Sequence, residues 1–291
     1  MTRIRATVSH MGMGPSLLLL PALVLTLLFF VVPFVRMLRI SFYEHAAGTI
    51  MQPAFTGRHY TEFVTDSFYL GKLWLTMWMG VVVTVISLVL GYPVAYFLAR
   101  VRLRQKGLLI GLILSPLLTN FIVLVFAWIV LLSKKGALNQ ALAWMHLPTV
   151  TFMYDIKGVL LALVYVSLPF VILPLIGAIA NVDVGLEDAA MSLGASRWHA
   201  FRTVVIPLSV PGIFTASLIS FSIVLSAYAF ALFIGGDQTL VVPLLVYQAI
   251  TGTNDWPQAA ALSFVTFAVT VLLLVVYGGL LRALRTQRKA A

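Results

Sequence analysis

The chain has 291 residues, of which 61% are hydrophobic and 10% charged, and Lys plus Arg outnumber Asp plus Glu by 19 to 9, a formal net charge of +10. A soluble domain carries about 25% charged residues, so the composition, with a mean hydropathy of +1.04, excludes an ordinary globular protein and points to an integral membrane protein. Cysteine is absent, which excludes disulfides and thiolate metal sites and leaves the redox compartment unread.

A spanning helix needs about 20 mostly apolar residues. Six runs meet that length: Ser16–Val35, Leu73–Ala99, Leu108–Leu132, Gly158–Ala180, Gly212–Ile234 and Ala259–Leu281. The expected fold class is therefore all-α, a polytopic membrane protein of six transmembrane helices. No run alternates with period two over the length of a barrel strand. The first run follows Arg3 and Arg5, as a signal peptide would. It is longer than a signal core of roughly 7–15 residues, and no small-x-small cleavage pattern follows. It is read as an uncleaved first span.

Between the spans lie three segments read as outer. Residues 36–72 are a long loop rich in aromatics (Phe42, Tyr43, Phe55, Tyr60, Phe63, Phe68 and Tyr69), expected to pack on the helix ends. Residues 133–157 carry a Gly136-Ala137-Leu138-Asn139 turn. Residues 235–258 carry Asp237 and Asp255, expected at an outer mouth or in a re-entrant piece.

Lys and Arg placement sets orientation. With the N-terminus inside, the inner segments hold 12 of the 19 basic residues against Asp183, Glu187 and Asp188, a net of +9. The outer segments hold 7 basic and 6 acidic residues. This asymmetry accounts for the high charge without a nucleic-acid partner. It puts both termini, and the segment Leu186–Gly212, in the cytoplasm of a multi-pass protein.

That segment, LEDAAMSLGASRWHAFRTVVIPLSVPG, is a polar island between apolar runs. Asp183, Glu187 and Asp188 crowd the front of a short helix, where carboxylates complement free backbone N–H groups. Ala189, Ala190 and Leu193 give a small apolar face. Gly194 stops the helix, with Ala195 beside it. Ser196 is a candidate N-cap for a second helix through about Phe201. Pro207 and Pro211 are expected to end that helix and turn the chain back into the bilayer. The pattern predicts a helix, glycine turn, helix hairpin across one membrane face.

Pro93, Pro116, Pro169 and Pro174 lie inside spans, where each removes a backbone bond and bends its helix. Asn120 falls near the middle of the third span. Its amide needs a partner there, either across a helix interface or in a pathway. Ser226 and Tyr228 in the fifth span, and Asp237 at its outer end, pose the same choice. These four are the candidate pathway residues. No ionisable residue sits in mid-span, where a charge costs about 2.5–3.5 kcal/mol on insertion scales. That argues against a proton-coupled antiporter. The five histidines, His10, His45, His59, His146 and His199, show no metal spacing. The phosphate-loop and H-E-x-x-H motifs are absent. Neither a catalytic residue, a metal nor a cofactor is assigned.

On these residues the chain resembles a known family. Asp188-Ala189-Ala190, three residues, then Gly194 match the EAA loop of the membrane subunits of bacterial binding-protein-dependent ABC importers. Val205-Ile206-Pro207-Leu208 follows the loop's Ile-x-Leu-Pro more loosely, and Asp188 stands where the family has Glu, with Glu187 beside it. Gly91-Tyr92-Pro93-Val94-Ala95-Tyr96, Pro116-Leu117-Leu118-Thr119-Asn120, Gly136-Ala137-Leu138-Asn139 and Asn254-Asp255-Trp256-Pro257 resemble the spermidine/putrescine-type permeases. The likeness covers about residues 60–280.

It implies a type I ABC importer permease, one transmembrane domain over 1–291 with its coupling loop at 183–212, in the bacterial inner membrane. The 186–201 hairpin would couple to a cytoplasmic ABC ATPase dimer through Glu187, Asp188, Ala189, Ala190, Leu193, Gly194, Ala195 and Ser196. A second permease, more readily a sister chain than an identical copy, would complete the pathway, and a periplasmic solute-binding protein would deliver the solute. A polyamine is the expected solute; phosphonate, iron or another small solute is the alternative. ATP would be hydrolysed by the partner, so the chain itself is no enzyme. The rival class, a self-sufficient secondary transporter or channel, predicts inverted repeats with matching broken helices, and no such pair is evident in the sequence.

Overall fold

The computed structural model describes residues 13–46, 49–52, 54–101 and 106–290. Arg3, Arg5, Arg102 and Arg104, which entered the orientation count, lie outside them, as does His10. Among the described residues, five helical stretches are long and apolar enough to cross a membrane: Leu20–Ile40, Ser67–Arg100, Phe121–Trp144, Ile156–Ala180 and Trp256–Gly279. A bent pair, Arg197–Leu208 with Val210–Ser226, makes a sixth if taken as one span. The expected fold class, a polytopic bundle of membrane helices, is found, with one short β-hairpin outside the spans.

In chain order the helices begin with α1 (Met13–Thr26), a π-turn (Leu27–Val31) and α2 (Val32–Ile40). A small antiparallel hairpin follows, β1 (Glu44–Ala46) and β2 (Thr49–Gln52), with Ala46 opposite Thr49. Next come α3 (Arg58–Thr65), α4 (Ser67–Arg100), α5 (Lys106–Leu118), α6 (Phe121–Leu132), α7 (Ala137–Trp144) and α8 (Ile156–Ala180). The loop region holds α9 (Val184–Ser192), α10 (Arg197–Ala200), a π-turn (Phe201–Val205) and α11 (Ile206–Leu208). The chain ends with α12 (Val210–Ser226), α13 (Tyr228–Phe230), a π-turn (Ala231–Gly235), α14 (Val242–Thr251) and α15 (Trp256–Ala290).

The core is built on α8. Over half of its membrane-length window, 56%, is buried, against none for the first span. Helices apolar on every side belong in a bundle centre or against lipid, and these two occupy those extremes. α4 and α12 pack on α8 and on each other. Gly212 allows the α8–α12 approach: a Cβ there would collide with Ala178. One apolar cluster, with Val83, Trp128, Leu163 and Phe230, fills one half of the bundle. A second, with Leu98, Leu175, Ile179 and Val205, joins α4 and α8 to the loop.

Three expectations change. The third span is broken: α5 stops at Leu118 and α6 starts at Phe121, with Asn120 as its N-cap, accepting from the Ile122 N–H at 2.9 Å. The fifth span breaks at Ala227, between α12 and α13. Pro207 does not end the loop's second helix, which runs from Arg197 to Leu208 before bending 66° into α12 at Ser209. A proline ring clashes with the carbonyl four residues back. Here the turn before it widens, and the Ile206 N–H bonds to the Phe201 carbonyl, five residues back. The same device precedes Pro33, where Val32 donates to Leu27.

The segments between spans are more ordered than loops. Residues 36–72 hold the hairpin and α3, whose Phe63 is buried with Val242 and Leu262, so they do pack on the helix ends. Residues 133–157 contain α7, and 235–258 contain the apolar α14. Thr76 Oγ1 accepts the Val242 N–H at 2.9 Å and so caps α14 from α4.

Candidate functional site

The polar island folds as a hinged knob. Asp183 caps α9 by accepting the Gly185 N–H at 2.9 Å. Gly194 has φ +93, a conformation that costs a side chain steric strain, and the Ala195 N–H reaches back to the Ala190 carbonyl at 3.1 Å. Ser196 caps the next helix by accepting the His199 N–H at 3.2 Å. Each of these local features follows from residue type and position.

The knob exposes several large apolar side chains. Leu193 is 90% exposed, Trp198 69%, and Val184 and Leu186 49% each. Asp188, Ala189, Gly194 and Ser196 are exposed as well, while Ala190 and Ala195 are half-buried. Glu187 differs from the expected surface carboxylate. It is buried, ion-paired with Arg100 at the end of α4, and accepts the Tyr96 hydroxyl at 2.8 Å. A residue one position before Asp188 on a helix turns about 100° away, which carries Glu187 from the outer face to the inner one. Sequence reasoning missed Arg100 and Tyr96 as partners, because they lie 87 and 91 residues earlier in the chain.

A second feature lies at the break in the fifth span. Tyr228 stacks on Tyr247 of α14, with ring centroids 4.9 Å apart. Both line an open cleft of about 420 Å³ with Leu225, Val242, Ser263 and Thr266. Tyr247, Ser263 and Thr266 had no sequence signal of their own. Ser226 bonds to the Ser222 and Ile223 carbonyls on its own helix. Asn120 is exposed at its cap, and Asp237 falls in the short 3-10 turn Gly236–Thr239. Of Asn120, Ser226 and Tyr228, Tyr228 is the one that lines this cleft. Among the described residues, no group of three or more His, Asp or Glu side chains is placed to hold a metal.

A bundle of five or six apolar spans among the described residues, with a capped helix–glycine–helix knob between two of them, defines a multi-pass helical membrane protein. The chain belongs to the family of binding-protein-dependent transport system inner membrane components, whose profile matches residues 87–288; it is a permease subunit of an ABC importer. It is similar to the spermidine/putrescine transport system permease protein PotB of Escherichia coli (strain K12), 31% identical over 252 residues, covering 86% of this chain and 91% of that one. It is also similar to the molybdenum transport system permease protein ModB of Azotobacter vinelandii, 33% identical over 184 residues, 62% of this chain and 80% of that one. A solved bacterial ABC transporter for import of the acidic polysaccharide alginate shares the fold, with a TM-score of 0.72 at 17% identity over 92% of this chain and 95% of that one. The family's place is the inner membrane, and the several apolar spans make the chain multi-pass.

Proposed function

We propose that the whole chain forms one permease domain, half of a pathway, and that its knob docks on a cytoplasmic ABC ATPase dimer. The docking contacts are Asp188, Ala189, Ala190, Leu193, Gly194, Ala195 and Ser196, with both termini on the same side of the membrane. The observation that carries this reading is Leu193, 90% exposed beside Gly194 at the knob's turn, with Trp198 69% and Leu186 49% exposed on the two helices that flank it. An apolar patch at a polar turn marks a partner's seat. Glu187 contributes from inside, by holding α9 in place.

The solute in this reading is a polyamine such as spermidine or putrescine, delivered by a periplasmic binding protein, and the second permease is a sister chain. The length of the match to a spermidine/putrescine permease supports it. Tyr228 and Asn120 flank the two span breaks, where backbone and aromatic faces become available to a passing solute, and Asp237 follows the second break. No ionisable side chain is needed in mid-membrane, so selectivity rests chiefly with the binding protein.

The test is uptake by vesicles holding the permease pair and ATPase, supplied with the binding protein loaded with labelled spermidine. Uptake that needs ATP, and that unlabelled putrescine but not molybdate suppresses, is the expected result. Suppression by molybdate instead would reassign the solute, and uptake by this chain alone would overturn the importer mechanism.

A further inference from the structure

One stripe of α4 holds the coupling loop at several separated points. Tyr92, Tyr96 and Arg100 recur every four residues and so share a helix face. The Tyr92 hydroxyl lies 2.7 Å from Ser209 Oγ, at the 66° bend. Tyr96 donates to Glu187 Oε2 at 2.8 Å. Arg100 pairs with Glu187 Oε1 through Nη2 and donates to the Val182 carbonyl through Nη1 at 3.0 Å. Phe201 sets its ring edge-on against Tyr92 and Tyr96. The Arg100 and Glu187 side chains are only 17% and 11% exposed.

Packing alone would hold α9 against the bundle, and a buried ion pair is weak evidence of stability, since both charges lose water. What a two-pronged charged contact adds is a single geometry. The far end of α4 is pinned as well. Thr76, 24 residues from Arg100 and about 36 Å away at 1.5 Å per residue, caps α14 by accepting the Val242 N–H. α14 carries Tyr247, which stacks on Tyr228 in the cleft. One continuous helix therefore joins the knob to the cleft.

We propose that Arg100 and Glu187 are positioning residues for coupling: a strut that makes α9 and the end of α4 one rigid body. Displacement of the docked knob then reaches α4, and through Thr76 the cleft, besides passing along the chain into α8. This rests on the docking reading above and goes beyond it, because the strut touches neither ATPase nor solute.

The chain lacks cysteine, so a nitroxide pair attached at Phe97→Cys and Ser192→Cys, both exposed sites, before assembly with cysteine-free partners reports the α4–α9 distance without background. Pulsed electron paramagnetic resonance is recorded on the permease–ATPase complex before and after trapping with ATP and vanadate. With Arg100 and Glu187 intact, one narrow distance is expected in both states. Glu187→Ala, and the milder Glu187→Gln should Ala fail to insert, leave it narrow at rest and broaden or shift it on trapping. The reversed pair Arg100→Glu with Glu187→Arg restores the single distance. A Glu187→Gln complex whose distance stays narrow after trapping overturns the strut alone. Failure of the labelled but otherwise unaltered chain to capture the ATPase would instead bring down the docking reading, and the strut with it.

Discussion

The helix–glycine–helix knob and the Tyr228 cleft are built in opposite ways. The knob is held by capped helix ends, a glycine turn and an ion pair, with its apolar side chains turned outward. The cleft is a gap left where a span breaks at Ala227, and among the described residues its lining is two tyrosines, hydroxyls and aliphatic groups without a charge. A docking surface must keep one shape, because its partner reads it. A passage must let go of what it admits, so few strong contacts suit it. Substitutions should therefore separate the two regions: changes at the knob affect stability and ATPase capture, and changes at the cleft affect uptake.

The largest effect is expected at Glu187. Glu187→Ala strips Arg100 of its carboxylate in a mostly buried site, and breaking such a pair costs about 3 kcal/mol. The purified permease should lose thermal stability by fluorescence-monitored unfolding, and the reversed pair should regain most of it. Gly212→Ala comes next. Its methyl group would collide with Ala178 where α12 meets α8, and overpacking of this kind costs about 1–3 kcal/mol, read in the same assay. Asn120→Ala removes the cap of α6, worth about 1 kcal/mol, and Asn120→Asp should keep it. If neither changes stability, the broken third span is not held by its cap.

The smallest effect on the fold is expected at the cleft. Tyr228→Phe keeps the stack on Tyr247 and loses only a hydroxyl. If that hydroxyl contacts solute with the roughly 0.6 kcal/mol typical of hydrogen bonds within membranes, uptake falls about threefold while inserted protein and ATPase capture stay unchanged. Equal losses in uptake and insertion would make Tyr228 a packing residue and erase the contrast between the regions.

The two regions also differed in how far the sequence disclosed them. Asp183, Gly194 and Ser196 act on backbone groups within a few residues, so their roles could be read along the chain. The inward turn of Glu187 could not, because its partners Tyr96 and Arg100 lie in another span. In the third span the Thr119-Asn120 step before an apolar run was an N-cap signal. Twenty-five residues of nearly unbroken hydrophobicity, Leu108–Leu132, mask it. Ala227 gives no signal at all, since alanine is a good helix former and only its neighbours impose φ −87 and ψ 55 there. Pro207 misled for a local reason, because a single widened turn accommodates a ring that would otherwise end the helix.

If a cytosolic motor takes hold of the exposed knob, its ATPase subunit is lost when the knob is altered. The amount of that subunit recovered with the affinity-tagged permease pair carrying Leu193→Glu, Gly194→Pro or Asp188→Lys reads this out. Recovery should fall by at least tenfold while the permease remains inserted in the membrane at its usual level. Undiminished recovery with all three variants would place the motor's grip elsewhere on the chain.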